Sequence, residues 1–244
     1  MQLSQHIQEW LQWMLVTSIP MRQLDELGNP VGIASGCLVL CAGRKFILSA
    51  RHAVKPESKG WAIELGYDSE KGTEMCWPNN FSYMAEMKKG SGILEDVDFC
   101  FAEVPADLKS TYAHRTPRSV SDVRPRYIFE VENFVEPSPT AIYAFAGGVK
   151  PEMHSPNLFA VEMNVYPNLR FLRSEGAFHV FKLPVDHPGH ESFRGCSGAP
   201  IVDTQRRVVA LVSRGDETEG TIRGVAISRV VTALNWYCKI CGAS

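Results

Sequence analysis

The chain has 244 residues, 45% of them hydrophobic and 21% charged, with a net charge of −2. That suffices for a well-buried core in one domain, and the mixed, nearly balanced charges form no Lys/Arg run of the kind that binds nucleic acid. No apolar stretch reaches the roughly 18 to 20 residues needed to cross a bilayer, so neither nucleic acid nor membrane is an expected partner.

The chain opens with MQLSQHIQEWLQWMLVTSIP, in which Ile7, Trp10, Leu11, Met14 and Leu15 recur at helical spacing. The reading is a short amphipathic helix over about residues 3–15, packed on the body of the domain, rather than a signal peptide, for which a basic n-region is lacking. Next, GIASGCLVLCAG and KFILSARHAV flank the turn Ala42-Gly43-Arg44 and read as a β-hairpin. Further strand candidates span residues 61–67, 98–104, 126–135, 141–148, 158–166, 177–183, 199–203, 207–215 and 223–228. Residues 105–125 are polar and Pro-bearing, which suits a linker between two halves of one unit. Helical spacing returns at Val230, Val231 and Leu234, giving a C-terminal helix over about 229–240. Many short strands without strand–helix alternation define an all-β architecture, a sandwich or a pair of barrels.

The cysteine count is seven, odd and too sparse for a secreted disulfide framework. A reducing cytoplasm is the expected location. Cys238 and Cys241 form a single CxxC with no second pair at zinc-ribbon spacing, and His187 and His190 lack defined further ligands. No metal or organic cofactor is expected.

The chemistry concentrates in ESFRGCSGAP, residues 191–200. A nucleophile attacking a carbonyl needs backbone N–H groups aimed at the developing oxyanion. A glycine two places before it lets the chain bend, and one just after it leaves room for substrate. Gly195 and Gly198 meet both conditions for Ser197 and neither for Cys196. A serine hydroxyl needs a base, and the base needs an orienting acid. His52 follows the apolar run Phe46–Leu48, and Asp98 begins the apolar strand Phe99-Cys100-Phe101-Ala102. Asp96 would face the same side of that strand, so alternation alone leaves it as a rival.

SGCLVLCAGRKFILSARHAV, DFCFAEV and RGCSGAPIVDTQRRVVALVSRG together resemble the three catalytic segments of chymotrypsin-like (trypsin-fold) serine peptidases. They stand in the family's order, with His52 and Asp98 separated by 46 residues and Asp98 and Ser197 by 99. The match runs from about residue 30 to 232, although 105–190 agrees only in being strand-rich. The bacterial, disulfide-free branch that includes the HtrA-type proteases looks more similar than the secreted digestive enzymes. The resemblance implies two six-stranded antiparallel β-barrels, at about residues 20–105 and 126–228, forming a single peptidase domain. It implies Ser197 as nucleophile, His52 as base then acid, Asp98 as the residue fixing the imidazole tautomer, and the N–H groups of Gly195 and Ser197 as oxyanion hole. The residues after Asp98, unlike those after Asp96, match the family strand one for one.

Two departures matter. Cys196 stands where activated members carry an Asp that pairs with a freed N-terminus, so the oxyanion loop is either preformed or ordered by a partner or peptide. Ala53 stands where secreted members pair a cysteine with the equivalent of Cys37, so that disulfide cannot form. For the pocket that receives the residue before the scissile bond (P1), the resemblance points to Glu191 and Ser192 on one wall. Val212, Ser213, Arg214 and Gly215 are expected to form the other, with Gly224 to Ala226 behind. Glu191 at its base would favour Lys or Arg, or it pairs with Arg194 in a loop; Ser213–Gly215 would offer an edge for peptide pairing. The expected function is a bacterial, cytoplasmic serine endopeptidase acting on polypeptides, with or without an activating or recruiting protein. The competing reading is a peptidase fold serving as a latent or inactive binding module.

Overall fold

The computed structural model describes residues 5–241 apart from 69, 71, 89, 117–118, 156–157 and 188. Helix α1 (Gln5–Met14) is followed by β1 (Ile19–Leu24), β2 (Pro30–Cys41), β3 (Arg44–Ser49), β4 (Trp61–Asp68), β5 (Gly72–Cys76), β6 (Ser82–Met87) and β7 (Leu94–Val104). A hairpin of β8 (Thr111–Thr116) and β9 (Ser119–Pro125) leads to β10 (Ile128–Glu130). Strands β11 (Tyr143–Ser155), β12 (Leu158–Glu175) and β13 (Phe178–Lys182) come next, then the single-turn α2 (His190–Phe193). The chain closes with β14 (Pro200–Asp203), β15 (Val208–Asp216), β16 (Thr221–Ala226) and α3 (Ile227–Cys241).

The second half is a closed barrel in the order β11-β12-β13-β16-β15-β14. The first half is a sheet of eight strands, ordered β5-β4-β1-β2-β3-β7-β6, with β10 adding to β2. Six strands were expected there; the eighth is β10, which crosses from the second half and runs parallel to β2 at Ile128↔Leu38 and Glu130↔Leu40. The expected linker carries the β8–β9 hairpin, paired from Thr111↔Pro125 to Thr116↔Ser119.

The β2–β3 hairpin shows why local sequence suffices here. Ala42 and Gly43 both take positive φ (49° and 76°), the two-residue turn whose twist matches a strand pair. It sets Cys41 opposite Arg44 and carries the register down to Gly36↔Ser49. Leu38, Val39, Phe46, Ile47 and Leu48 are thereby buried, each worth roughly 1.5–3 kcal/mol relative to exposure. Strand β1 escaped the sequence reading because Arg22 interrupts its apolar run. The structure buries that guanidinium and pairs it with Glu64 of β4 at 2.5 Å.

The N-terminal helix packs where the halves meet. Trp13 meets Tyr127 and Phe129 edge-on, with ring centroids 5.0 and 6.0 Å apart. Trp10 and Met14 share one apolar cluster with Phe46, Phe101, Val208 and Leu234. The Arg126 guanidinium donates to the Leu15 carbonyl at 2.8 Å and also to that of Ser18, and Tyr127 N–H donates to Val16 at 2.8 Å. The second half therefore starts from a fixed point on the first.

Candidate active site

The first half brings two side chains to the junction. His52 lies just beyond β3, and Asp98 sits within β7, the strand paired with β3 at Ser49↔Cys100. The Asp98 carboxylate accepts from His52 Nδ1 at 2.8 and 3.0 Å, and from the His52 backbone N–H at 2.9 Å. The second half supplies the Ser213 hydroxyl, which also donates to Asp98. Burial opposes ionisation of Asp98, but donation and charge from His52, with the Ser213 hydroxyl, outweigh it and hold the carboxyl below its ordinary pKa. Because that carboxylate can only accept, it assigns the proton to Nδ1 and leaves Nε2 as acceptor. The Ser197 hydroxyl donates to Nε2 at 2.9 Å; its alternative acceptor, the Ser213 carbonyl, stands at 3.4 Å. Asp96 points elsewhere: its side chain is 62% exposed and pairs with Arg51 at 2.5 Å.

Ser197 rides on a loop clamped at several points. Gly198 N–H donates to Val212 and Val212 N–H to Ala199, each at 2.8 Å. Before it, Cys196 N–H donates to the Phe193 carbonyl at 2.9 Å, closing a four-residue turn. Arg194 has φ −59° and ψ 121°, and Gly195 has φ 98°; these are type II values. A side chain at Gly195 would need that positive φ and would put its Cβ 2.2 Å from the Gly148 carbonyl oxygen. Among the described residues, neither the Gly195 nor the Ser197 N–H has a hydrogen-bond acceptor within the protein. Two unpaired donors thus flank a hydroxyl that is already hydrogen-bonded to an oriented imidazole.

Cys196 is fully buried, its sulfur packed against Gly147, and burial pushes its thiol up to about 12. It is part of the barrel core with Phe145 and Phe193. The two neighbours thus face different surroundings, the Ser197 hydroxyl toward His52 and the Cys196 thiol into the core.

The candidate pocket residues fall in three places. Glu191 is 87% exposed, its carboxylate 3.5 Å from the Arg194 guanidinium. Arg214 is exposed and lies over the Phe178 ring at 5.7 Å. Ser213 to Gly215 pair only with β16, since the ladder to β14 ends at Leu211, so that segment has an open side among the described residues. A cavity of about 350 Å³ adjoins the first-half side of the site, between Arg51, His52, Lys55, Glu57 and Asp96.

Two residues that sequence reasoning passed over support the loop. Ser35 of β2 donates its hydroxyl to the Gly195 carbonyl at 2.7 Å, receives the Gly148 N–H at 3.2 Å, and sends its own N–H to the Ser197 carbonyl at 2.9 Å. Ser49 of β3 donates to the Ser35 carbonyl at 2.7 Å. The signal available was two serines, one on each strand of a largely apolar hairpin, which in a buried setting demand partners.

This architecture is that of the chymotrypsin-fold serine proteases. The chain is similar to the serine endoprotease from Yersinia pestis, at 10% identity over 96% of this chain and 67% of that one, with a TM-score of 0.54. It is also similar to the Rv3671c protease from M. tuberculosis in its active form, at 15% identity over 93% of this chain and 82% of that one, with a TM-score of 0.51. An inactive form of the same protein gives 13% identity over 96% and 94%, with a TM-score of 0.50. Active and inactive forms fit almost equally well, so the likeness speaks to fold and the state of the site must be read from its own geometry. No protein-family model matches the sequence, and a search of curated proteins found no match.

Proposed function

We propose that this protein is a serine endopeptidase that cleaves polypeptides through an acyl-enzyme on Ser197. The observation that carries this reading is the continuous run of hydrogen bonds from Ser197 Oγ through His52 to Asp98, beside two unpaired backbone N–H groups. Ser197 Oγ attacks the peptide carbonyl while His52 Nε2 takes its proton. Asp98 holds the imidazole tautomer and stabilises the imidazolium. The Gly195 and Ser197 N–H groups receive the oxyanion, and His52 returns the proton to the leaving amine. Water then enters by the same route in reverse.

The type II turn at Arg194-Gly195 favours a site that needs no separate partner to order it, and so weighs against the latent binding module. A type I turn would reverse the intervening peptide and turn the Gly195 N–H away. The test is fluorophosphonate labelling of the wild type, Ser197→Ala, His52→Ala and Cys196→Ala. Labelling that is lost with the first two variants and kept with the third supports the reading. An unlabelled wild type overturns it.

A further inference from the structure

One imidazole lies beside the two walls expected to receive the P1 side chain, between Phe193 and β15. His187, in the segment before α2, packs its imidazole on Phe193 of the nucleophile loop, with ring centroids 4.8 Å apart. On the opposite side it lies against Gly215 of β15, so closely that a Cβ on Gly215 would fall 2.2 Å from His187 Nε2. One ring thus bridges Phe193, the residue that follows the expected Glu191–Ser192 wall, and Gly215 of the other wall. Its placement is held from behind: Gly189 N–H donates to Nδ1 at 3.1 Å, and the Glu217 carboxylate, just past β15, accepts from the His190 N–H at 2.8 Å.

Because Nδ1 is the acceptor of that bond, Nε2 carries the hydrogen, and burial drives the imidazole toward its neutral form. Yet Nε2 is buried and, among the described residues, has no hydrogen-bond partner. A buried unpaired donor costs about 1–3 kcal/mol, a sacrifice natural proteins concentrate at functional sites. Nothing at Nε2 returns that cost as stability; what the ring does there is occupy volume.

We propose that His187 is the specificity-determining residue of the cleft, its imidazole closing the P1 pocket so that only residues with small side chains, glycine, alanine or serine, are accepted before the scissile bond. Glu191, the residue that would have selected a cation, lies outside the pocket, and the slot it was expected to floor belongs to His187. The inference rests on the serine-peptidase reading for where the substrate lies. Its test therefore uses binding as well as turnover.

Product-like peptides, N-acetyl-Ala-Ala-Ala and N-acetyl-Ala-Ala-Phe, are titrated by NMR into Ser197→Ala protein carrying His187, His187→Ala or His187→Phe. Peptide p-nitroanilides differing only at P1 are cleaved in parallel by the same three forms with Ser197 intact. The expected result is preference for alanine in the parent and a shift of the Phe/Ala ratio by about tenfold or more in His187→Ala, the size of effect a change of pocket volume gives. His187→Phe, which keeps the bulk and removes the nitrogen, should retain the alanine preference. A merely structural role would not separate these two variants. Equal binding of both peptides to the parent, binding of neither, or a ratio that His187→Ala leaves unmoved overturns the inference. An enzyme that turns over nothing and is not labelled by fluorophosphonate, yet discriminates the peptides in the titration, overturns the peptidase reading and leaves the pocket assignment standing.

Discussion

The Ser35 hydroxyl donates to the carbonyl of Gly195 at 2.7 Å, across 160 residues of sequence and the junction between the two halves. It fixes one side of the turn that leaves the Gly195 N–H unpaired, while the Ser35 backbone N–H holds the Ser197 carbonyl at 2.9 Å. A strand of the first half therefore sets the shape of the loop of the second that carries Ser197.

Replacing Ser35 with Ala strands the Gly195 carbonyl and the Gly148 N–H in a buried place. The cost should be about 1–3 kcal/mol of stability. Because the loop it releases carries the proposed oxyanion donors, kcat should fall about tenfold or more while KM changes little. Urea denaturation and steady-state kinetics on the same preparation check both halves of this expectation.

Gly195→Ala should be more severe. The backbone there has φ 98°, and the new methyl would meet the Gly148 oxygen at 2.2 Å. The turn must change type, which reverses the Arg194–Gly195 peptide. Fluorophosphonate labelling should fall by about 10² to 10³, the loss seen when one oxyanion donor is removed. Thermal unfolding within a few degrees of the wild type would show that the fold survives and the loop alone has moved.

Asp98 has a sign that can be checked against pH. Its folded carboxyl titrates below the ordinary value, so its contribution to stability is present above the unfolded pKa of about 3.9. That contribution is lost as pH falls through the lower folded value. The stability gap between wild type and Asp98→Asn should be full at neutral pH and shrink in acid, as measured by chemical denaturation across pH 2 to 7 (about the range over which carboxyls titrate). Activity of Asp98→Asn should fall about 10⁴-fold at neutral pH, because the amide no longer fixes the tautomer.

Cys196 should behave as core. With its thiol buried and pushed up to about 12, it should resist iodoacetamide at pH 8 (about four units below that value) while the exposed Cys241 reacts. Peptide mapping of the native protein separates the two. Rapid alkylation of Cys196 in the folded chain would contradict its placement.

How much of this was legible beforehand depended on whether the signal was local. The β2–β3 hairpin was, because a two-residue turn and alternating burial are properties of neighbouring residues. Arg22 hid β1, because the partner that makes a buried guanidinium tolerable, Glu64, lies 42 residues away. Strands β5 and β6 are only half-buried, so their apolar pattern is weak, and residues 126–135 gave only the three-residue β10 before turning.

The sequence by itself determined the cast of the candidate site. Glycine spacing around Ser197, an apolar strand running into His52 and another starting at Asp98 are chemical requirements written in short stretches of chain. The tertiary structure alone decided how they are used. It turned Asp96 to Arg51, gave Asp98 to His52, left Glu191 exposed beside Arg194 and set His187 against Gly215. It also recruited Ser35 and Ser49 from the far half as supports. The reason is physical: which polar group can be left buried depends on a partner's position in space, and residues far apart in sequence become neighbours only when both halves have closed on each other.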